Sequence, residues 1–152
     1  MSTTTVSRRR LLFGAGAGTL ALAGMARAAM ADEAATNEMI TKLVGTTKAV
    51  EDKISIKLPQ IAENGNTVPF TVTVDSPMTD ADYVKTIHVL ADGNPSPGVA
   101  SFSFTPDSGK AEVSMRLRLA RTQNVKAYAV TSQGQIYSCS REVKVTIGGC
   151  GG

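Results

Sequence analysis

The sequence has 152 residues, with 16 lysines and arginines against 13 aspartates and glutamates, and a formal net charge of +3. Four of the arginines and no acidic residue lie in the first 31 residues, so the remainder carries 12 basic and 13 acidic residues, a net charge of −1. The part of the chain after this segment therefore lacks the basic surface that nucleic-acid binding requires. Its roughly 120 residues are enough for one domain with a modest core.

The first 31 residues have the three-part composition of an export signal. Three arginines at positions 8–10 precede Leu11 and Leu12, a weakly apolar run rich in glycine and alanine follows, and Ala-x-Ala sites place cleavage before Ala29 or Asp32. The arginine pair and the low hydrophobicity favour a twin-arginine signal over an ordinary Sec signal. The apolar run is short for a membrane-spanning helix, which needs about 20 residues. We therefore expect a signal peptide over residues 1–31, export to the periplasm and no membrane anchor.

Residues 32–147 are predicted to form one domain built almost entirely of β-strands. A short helix is expected at about residues 36–44, where apolar residues share one face and Gly45 favours a stop. Beyond it, apolar and polar residues alternate, which is the two-residue period of a strand with one buried face. The pattern predicts an all-β fold, an Ig-like antiparallel β-sandwich. Turn signals separate seven runs, at about residues 54–58, 68–74, 83–90, 102–104, 113–119, 125–131 and 136–147.

The sequence ends in a cysteine flanked by glycine pairs, directly after the last predicted strand: Gly148-Gly149-Cys150-Gly151-Gly152. Because glycine has wide conformational freedom, residues 148–152 are predicted to form a thin, flexible tail that holds one thiol away from the body. Five extended residues reach at most about 17 Å, enough to enter a narrow channel in another protein. Glycine neighbours supply no cation or helix dipole to activate the thiol, so activation is expected from a partner. The pattern predicts that the tail presents the Cys150 thiol to partner proteins in transient visits, which suits a carrier; a frayed terminus with an incidental cysteine is the alternative.

Cys139 is the other cysteine of the chain. Within the last strand it falls on the same side as Tyr137 and Val143, so alternation predicts that it faces the core as a small hydrophobic residue, although Arg141 shares that side. A disulfide to Cys150 is not expected, since eleven mostly extended residues separate the two cysteines by roughly 30 Å, whereas disulfide-bonded Cα atoms lie within about 7 Å. A redox role for Cys139 stays open at this point.

The remaining candidate residues do not form a recognisable catalytic set. His88, the one histidine, lies between Ile87 and Val89 and is predicted to face solvent; a single histidine without partners at metal-ligand spacing is weak evidence for a metal site. The sequence contains no Ser-His-Asp set, phosphate-binding loop or Cys-x-x-Cys motif, so no catalytic residue, metal or cofactor is expected. Three arginines on and after one strand could attract an anion, although such charges usually face water: Arg116, Arg118 and Arg121.

Several segments that extend through most of the mature domain carry a family resemblance: residues 58–69 (LPQIAENGNTVP), 75–78 (DSPM), 94–97 (NPSP), 116–120 (RLRLA) and 143–152 (VKVTIGGCGG). The terminal Gly-Gly-Cys-Gly-Gly is the most specific part, and the twin-arginine-like start agrees with it. In these segments the sequence resembles the SoxY family, the sulfur-carrier subunits of a periplasmic thiosulfate-oxidising pathway.

The resemblance implies a carrier that other enzymes act on. It implies a heterodimer with a smaller Ig-like subunit, SoxZ, and sulfur intermediates held covalently on Cys150. A SoxAX-type cytochrome would join thiosulfate to this thiol as a cysteine S-thiosulfonate, and a SoxB-type dimanganese hydrolase would release sulfate. In some organisms a SoxCD-type molybdenum–haem enzyme would oxidise the remaining sulfane. The carrier itself would bind no metal, and Cys139 departs from the family pattern, which leaves a side disulfide or a link between subunits open.

Two other interpretations remain. One is an exported structural β-sandwich that is cross-linked to a second chain through Cys150. The other is a ubiquitin-like sulfur carrier activated at its final Gly-Gly, which the expected location outside the cytoplasm and the missing central helix disfavour. Partner binding is expected to involve a strand edge, because exposed sheet edges must be covered or blunted.

Overall fold

The structure, a computed structural model, describes residues 33–46 and 48–149. The expected signal peptide and the last three residues of the expected tail, Cys150, Gly151 and Gly152, lie outside the described residues. Helix α1 covers residues 33–44, and a short 3-10 helix covers Pro106–Ser108. The described chain also contains eight strands: β1 (Ile54–Lys57), β2 (Ile61–Asn64), β3 (Val68–Val74), β4 (Val84–Ala91), β5 (Gly98–Ser103), β6 (Ala111–Leu117), β7 (Gln123–Thr131) and β8 (Ile136–Ile147).

Helix α1 confirms the predicted helix and begins slightly earlier than expected. It ends at Gly45, whose φ of +82° is left-handed backbone that glycine adopts without strain. The Gly45 N–H donates to the Thr41 carbonyl oxygen at 2.9 Å, which closes the last turn. Thr36 and Ile40, one turn apart, are its buried residues. The helix therefore packs onto the domain through one narrow stripe.

The strands form two sheets whose facing sides enclose the core. One sheet has the order β1-β3-β6, and the other has the order β2-β8-β7-β4-β5. Alternate residues are buried along the central strands, as the two-residue period requires: Phe70 and Val72 on β3, and Val125 and Ala127 on β7. Two sheets packed face to face in this way form an Ig-like β-sandwich, so the predicted fold class is confirmed.

β2 is the strand that the alternation does not predict. Its four residues, of which only Ala62 is buried, lie where turn-forming residues interrupt the pattern. β2 pairs in parallel with β8, with Ile61 opposite Lys144 and Asn64 opposite Ile147. The other strand pairs in the described chain are antiparallel. β2 therefore places a neighbouring strand beside the C-terminal end of β8, where the expected tail begins.

His88 is buried, which corrects the prediction that it faces solvent. Only 7% of the residue is exposed, its Nδ1 lies 2.7 Å from Ser101 Oγ on β5, and burial lowers its pKa. Helix α1 lies close to the neighbouring part of the sheet: a Cβ built on Gly98, the register partner of Leu90, would be 3.6 Å from Met39. Both sides of β4 are buried from Ile87 to Ala91, and alternation does not reveal that the second side is covered.

Candidate carrier site at the end of the last strand

The candidate carrier site begins where β8 ends, at Gly148 and Gly149. β8 lies between β7 and β2 in the five-stranded sheet, and the pairing with β2 continues to Ile147. Cys150, the predicted attachment residue, follows Gly149 directly and lies outside the described residues. The described geometry is therefore that of the backbone from which Cys150 extends.

Gly149 is fixed by a chain of three backbone hydrogen bonds. The Gly65 N–H, in the turn after β2, donates to the Ile147 carbonyl oxygen at 2.7 Å. The Gly65 carbonyl accepts from the Leu119 N–H at 2.8 Å, and the Leu119 carbonyl accepts from the Gly149 N–H at 2.9 Å. Leu119 lies in the loop between β6 and β7, and its side chain is fully buried. We call this arrangement the glycine clamp, formed by the backbone of Gly65, Leu119, Ala120, Gly148 and Gly149.

Each glycine of the clamp stands where a Cβ would meet backbone atoms. At Gly65 it would collide with the Leu119 carbonyl oxygen and lie 2.8 Å from the Gly149 nitrogen. At Gly148 it would collide with the Ala120 carbonyl oxygen, and at Gly149 it would lie 2.8 Å from the Gly65 carbonyl oxygen. Any side chain at these positions requires the backbones to separate. Glycine is therefore needed here for close approach of three chain segments.

The clamp differs from the flexible tail predicted over residues 148–152. Gly148 lies against Ala120, and Gly149 is buried and hydrogen-bonded, so the described chain is not free from Gly148 onward. A glycine pair has the same sequence signature in a mobile tail and in a close backbone contact. Gly65, which completes the contact, lies far away in the sequence; its turn signal, Asn64-Gly65-Asn66, was the available indication.

Two buried amide side chains hold the loop that carries Leu119. Asn94 and Gln123 are 6% and 5% exposed, and Gln123 Nε2 donates to Asn94 Oδ1 at 2.9 Å. No buried side-chain nitrogen or oxygen in the described part of the chain lacks a hydrogen-bond partner, so the network is complete. The two amides also bond backbone groups of Gly93, Arg118, Ala120 and Arg121.

Cys139 is a free thiol that lies partly buried against the core. Its register partner on β7 is Ala127, which is fully buried, so the thiol lies on the side that alternation predicts. Beside it is a shallow depression of about 220 Å³ whose lining includes Glu51, Ile54 and Arg141. The structure thus places Cys139 in the first third of β8, well before the clamp at the end of that strand.

The three arginines that could attract an anion are exposed on β6 and the loop that follows, as solvated charges would be. Arg116 Nη1 lies 3.4 Å from Thr67 Oγ1, and the carbonyl groups of Arg118 and Arg121 accept hydrogen bonds from the buried amides. Over residues 33–46 and 48–149, no group of three or more His, Cys, Asp or Glu could hold a metal ion. Within the same ranges, no helix combines the length and the apolar character needed to cross a membrane.

Two comparisons with known proteins identify the family. The model of the family described as sulfur oxidation protein SoxY matches residues 40–150. Among solved structures, the sulfur carrier protein SoxY from Chlorobium limicola f thiosulfatophilum matches with a TM-score of 0.64 and 38% identity. That match covers 76% of this chain and 99% of the other. No curated protein matches the chain significantly.

Superoxide reductases share the fold with this chain. The enzyme from Ignicoccus hospitalis, a neelaredoxin, is 18% identical with a TM-score of 0.56, over 62% of this chain and 80% of the other. The enzyme from Nanoarchaeum equitans is 9% identical with a TM-score of 0.53, over 63% of this chain and 100% of the other. Identities this low indicate a common sandwich and carry no information on activity. The family match and the 38% identical structure, in contrast, extend over most of the chain, and the protein therefore belongs to the SoxY family of sulfur oxidation proteins.

Proposed function

We propose that this protein is a non-enzymatic carrier that holds sulfur intermediates of thiosulfate oxidation covalently on Cys150 and presents them to partner enzymes. The observation that carries the proposal is the position of Cys150, directly after two glycines of the clamp and before two further glycines. Membership of the SoxY family supports it, because the matching solved protein is described as a sulfur carrier.

The clamp refines how the thiol is presented in this proposal. Because Gly149 is bonded to Leu119, the residue directly before Cys150 in the sequence is anchored to the domain. A partner enzyme must receive the thiol close to the domain surface, or break the Gly149–Leu119 bond and draw out more of the tail. A backbone hydrogen bond contributes about 1 kcal/mol net, so partner binding is sufficient to release it.

The proposed chemistry needs no catalytic group on the carrier. In the loading step, the Cys150 sulfur and the outer sulfur of thiosulfate form a bond. The thiol proton is released, and two electrons pass to a partner cytochrome, which leaves a cysteine S-thiosulfonate. In the next step, a partner hydrolase directs water to the terminal sulfonate, which leaves as sulfate with release of protons. One extra sulfur stays on Cys150 as a persulfide. The carrier supplies the attachment sulfur, and its partners supply the oxidant and the hydrolytic catalyst.

The proposal also names partners and a location. We propose a heterodimer with a SoxZ-like subunit, loading by a SoxAX-type cytochrome and hydrolysis by a SoxB-type dimanganese enzyme. A SoxCD-type sulfane dehydrogenase acts on the persulfide where the organism has one; where it does not, the sulfane is deposited as sulfur. The signal predicted over residues 1–31 directs the carrier to the periplasm by the twin-arginine route.

The direct test compares Cys150→Ser with Cys139→Ser in a reconstituted reaction. Each purified variant is combined with the SoxZ-like subunit, the cytochrome, the hydrolase and thiosulfate, and the release of sulfate is measured. We expect Cys150→Ser to abolish sulfate release and Cys139→Ser to retain it, because only the tail thiol accepts substrate. Thermal unfolding of both variants controls for folding. Sulfate release by Cys150→Ser at the wild-type rate would refute the proposal.

A structural role is the alternative that the same tail allows. Two chains would then be cross-linked by a disulfide between their Cys150 residues, and the disulfide-linked dimer would be the functional form. Non-reducing gels of periplasmic extract separate the two functions. The carrier is expected as a single chain bound to a distinct partner, whereas a structural protein is expected mainly as linked dimers that Cys150→Ser removes.

A further inference from the structure

We propose that Asn94 and Gln123 are positioning residues for the carrier thiol, because their buried amides hold the loop to which Gly149 is bonded. The inference rests on the proposed function of Cys150 and adds the device that fixes where this residue leaves the domain. It assigns a role in carrying to two side chains that act through the backbone of the loop around Leu119.

Asn94 bonds the loop at two points. Its Nδ2 donates to the Arg118 carbonyl oxygen at 2.9 Å, and its Oδ1 accepts from the Ala120 N–H at 3.0 Å. The same Oδ1 accepts from Gln123 Nε2 at 2.9 Å. One amide group therefore satisfies backbone groups on both sides of Leu119.

Gln123 extends the same support to the end of the loop. Its Nε2 also donates to the Arg121 carbonyl oxygen at 3.0 Å, and its Oε1 accepts from the Gly93 N–H at 2.7 Å. The second bond ties the amide to the turn that precedes Asn94. The two side chains and the two backbone segments thus brace each other.

The direction of these bonds explains why they matter for Gly149. The amides engage the Arg118 carbonyl, the Ala120 N–H and the Arg121 carbonyl. The N–H and carbonyl of Leu119, the residue in between, are left for Gly65 and Gly149. The loop is therefore bonded to the amides through the residues around Leu119 and to the clamp through Leu119 itself. Loss of the amides removes the support against which Gly149 is held.

The two amides are buried, so their polar atoms must find hydrogen-bond partners within the protein. A polar group removed from water destabilises the fold unless its hydrogen bonds are made, and here this applies to two adjacent amides. A surface loop whose polar groups form hydrogen bonds to water would be compatible with the same stability. The complete amide network instead gives the loop one defined conformation, and hence gives the tail one defined starting point.

The test measures the anchoring of Gly149 and the mobility of Cys150 in the full chain paired with its SoxZ-like subunit, in a Cys139→Ser background. Asn94→Ala is compared with Thr131→Val, which removes a buried hydroxyl that accepts the backbone N–H of Gln135 at the opposite end of β7. We expect the Gly149 amide to exchange with solvent about tenfold to a hundredfold faster in Asn94→Ala, with amides between β4 and β7 unchanged. A nitroxide spin label on Cys150 should show a larger mobile component in Asn94→Ala than in Thr131→Val.

Kinetics of the unlabelled variants distinguish positioning from general stability. With the thiosulfate-loading cytochrome, we expect Asn94→Ala to raise the KM for the carrier severalfold while kcat changes little, and Thr131→Val to change neither. If Asn94→Ala does not fold, the isosteric Gln123→Glu, which removes the donor to Asn94 and Arg121, takes its place with the same expectations. An Asn94→Ala or Gln123→Glu protein with unchanged Gly149 exchange, label mobility and KM would overturn the inference.

The wild-type protein provides a further check that needs no variant. If its Gly149 amide exchanges as fast as that of an unstructured glycine, the anchoring does not exist in solution and the inference is overturned. Failure of the proposed function is recognised separately, since Cys150 would then not be loaded in any variant. Loading of Cys150 with an unanchored Gly149 would overturn the positioning role and leave the carrier function standing.

Discussion

The clamp predicts that a single methyl group at Gly65 disturbs the base of the tail. In Gly65→Ala the new Cβ collides with the Leu119 carbonyl oxygen and lies 2.8 Å from the Gly149 nitrogen and 2.9 Å from Val145 Cγ1. The first two are backbone atoms that cannot rotate away, so the segments must separate. Overpacking of this kind typically destabilises a protein by about 1–3 kcal/mol. For a domain of this size we expect the unfolding temperature to fall by about 4–12 °C.

Gly98→Ala is the matched control. A Cβ at Gly98 lies 3.6 Å from Met39 Cε, an ordinary van der Waals distance to a flexible side chain. We therefore expect its unfolding temperature to stay close to that of the wild type. The alanine lowers the backbone entropy of the unfolded chain, and this stabilising effect offsets any small strain in the folded state. Thermal unfolding monitored by circular dichroism compares the two variants with the wild type.

The second measurement in the same pair is hydrogen exchange of the Gly149 amide. We expect faster exchange in Gly65→Ala, because separation of Gly65 from Leu119 lengthens the hydrogen bond from the Gly149 N–H to the Leu119 carbonyl oxygen. We expect no change in Gly98→Ala. An unfolding temperature of Gly65→Ala equal to the wild type, together with unchanged Gly149 exchange, would refute the close approach of these backbones. Equal losses in both variants would show that the effect is not specific to the clamp.

Three further predictions concern residues outside the clamp. Burial lowers the pKa of His88, so between that lowered value and about 6.5 the unfolded chain binds a proton that the folded chain does not, and stability must fall as pH drops through this window. Thermal unfolding between about pH 5 and 7.5 should show a smaller loss in His88→Gln than in the wild type; an identical slope would contradict the assignment. Cys139→Ala should cost about 1 kcal/mol of stability by lost packing, with loading of Cys150 unchanged, and a loss of loading would give Cys139 a chemical role. Ile40→Ala should weaken the docking of α1 by about 2–4 kcal/mol, seen as faster exchange in α1 and β5 with β7 and β8 unaffected; uniform faster exchange would place Ile40 in the main core.

The strands were predictable because alternation depends on one property, the burial of one side of each strand. β8 has the predicted bounds, and α1 was predicted from the stripe that includes Ile40 and from the stop at Gly45. β2 was not predicted because it has only four residues and one buried side chain, which is too short for an alternating pattern to appear. His88 was misplaced because both sides of β4 are buried from Ile87 to Ala91, which the alternation of a single strand does not reveal.

The proposed attachment residue and its surroundings differ in how far they can be predicted from the sequence. Cys150 stands out from local sequence alone, since a lone cysteine between glycine pairs is rare. The clamp depends on Gly65 and Leu119, which are distant in sequence and contribute mainly backbone atoms. Asn94 and Gln123 contribute ordinary amide side chains whose significance lies in their burial and mutual bonds. Such contacts are a property of the tertiary fold and have no local signature.

The central claim is that Cys150 carries the sulfur intermediate, and peptide mapping tests it most directly. Trypsin cleavage after Lys126, Arg141 and Lys144 places Cys139 in residues 127–141 and Cys150 in residues 145–152, so mass spectrometry assigns each thiol independently. The carrier is incubated with thiosulfate and its loading cytochrome, then digested without reductant. We predict an added thiosulfonate, and a persulfide after addition of the hydrolase, on the 145–152 peptide alone. A free thiol on that peptide while thiosulfate is consumed, or the adduct on the 127–141 peptide, would contradict the account.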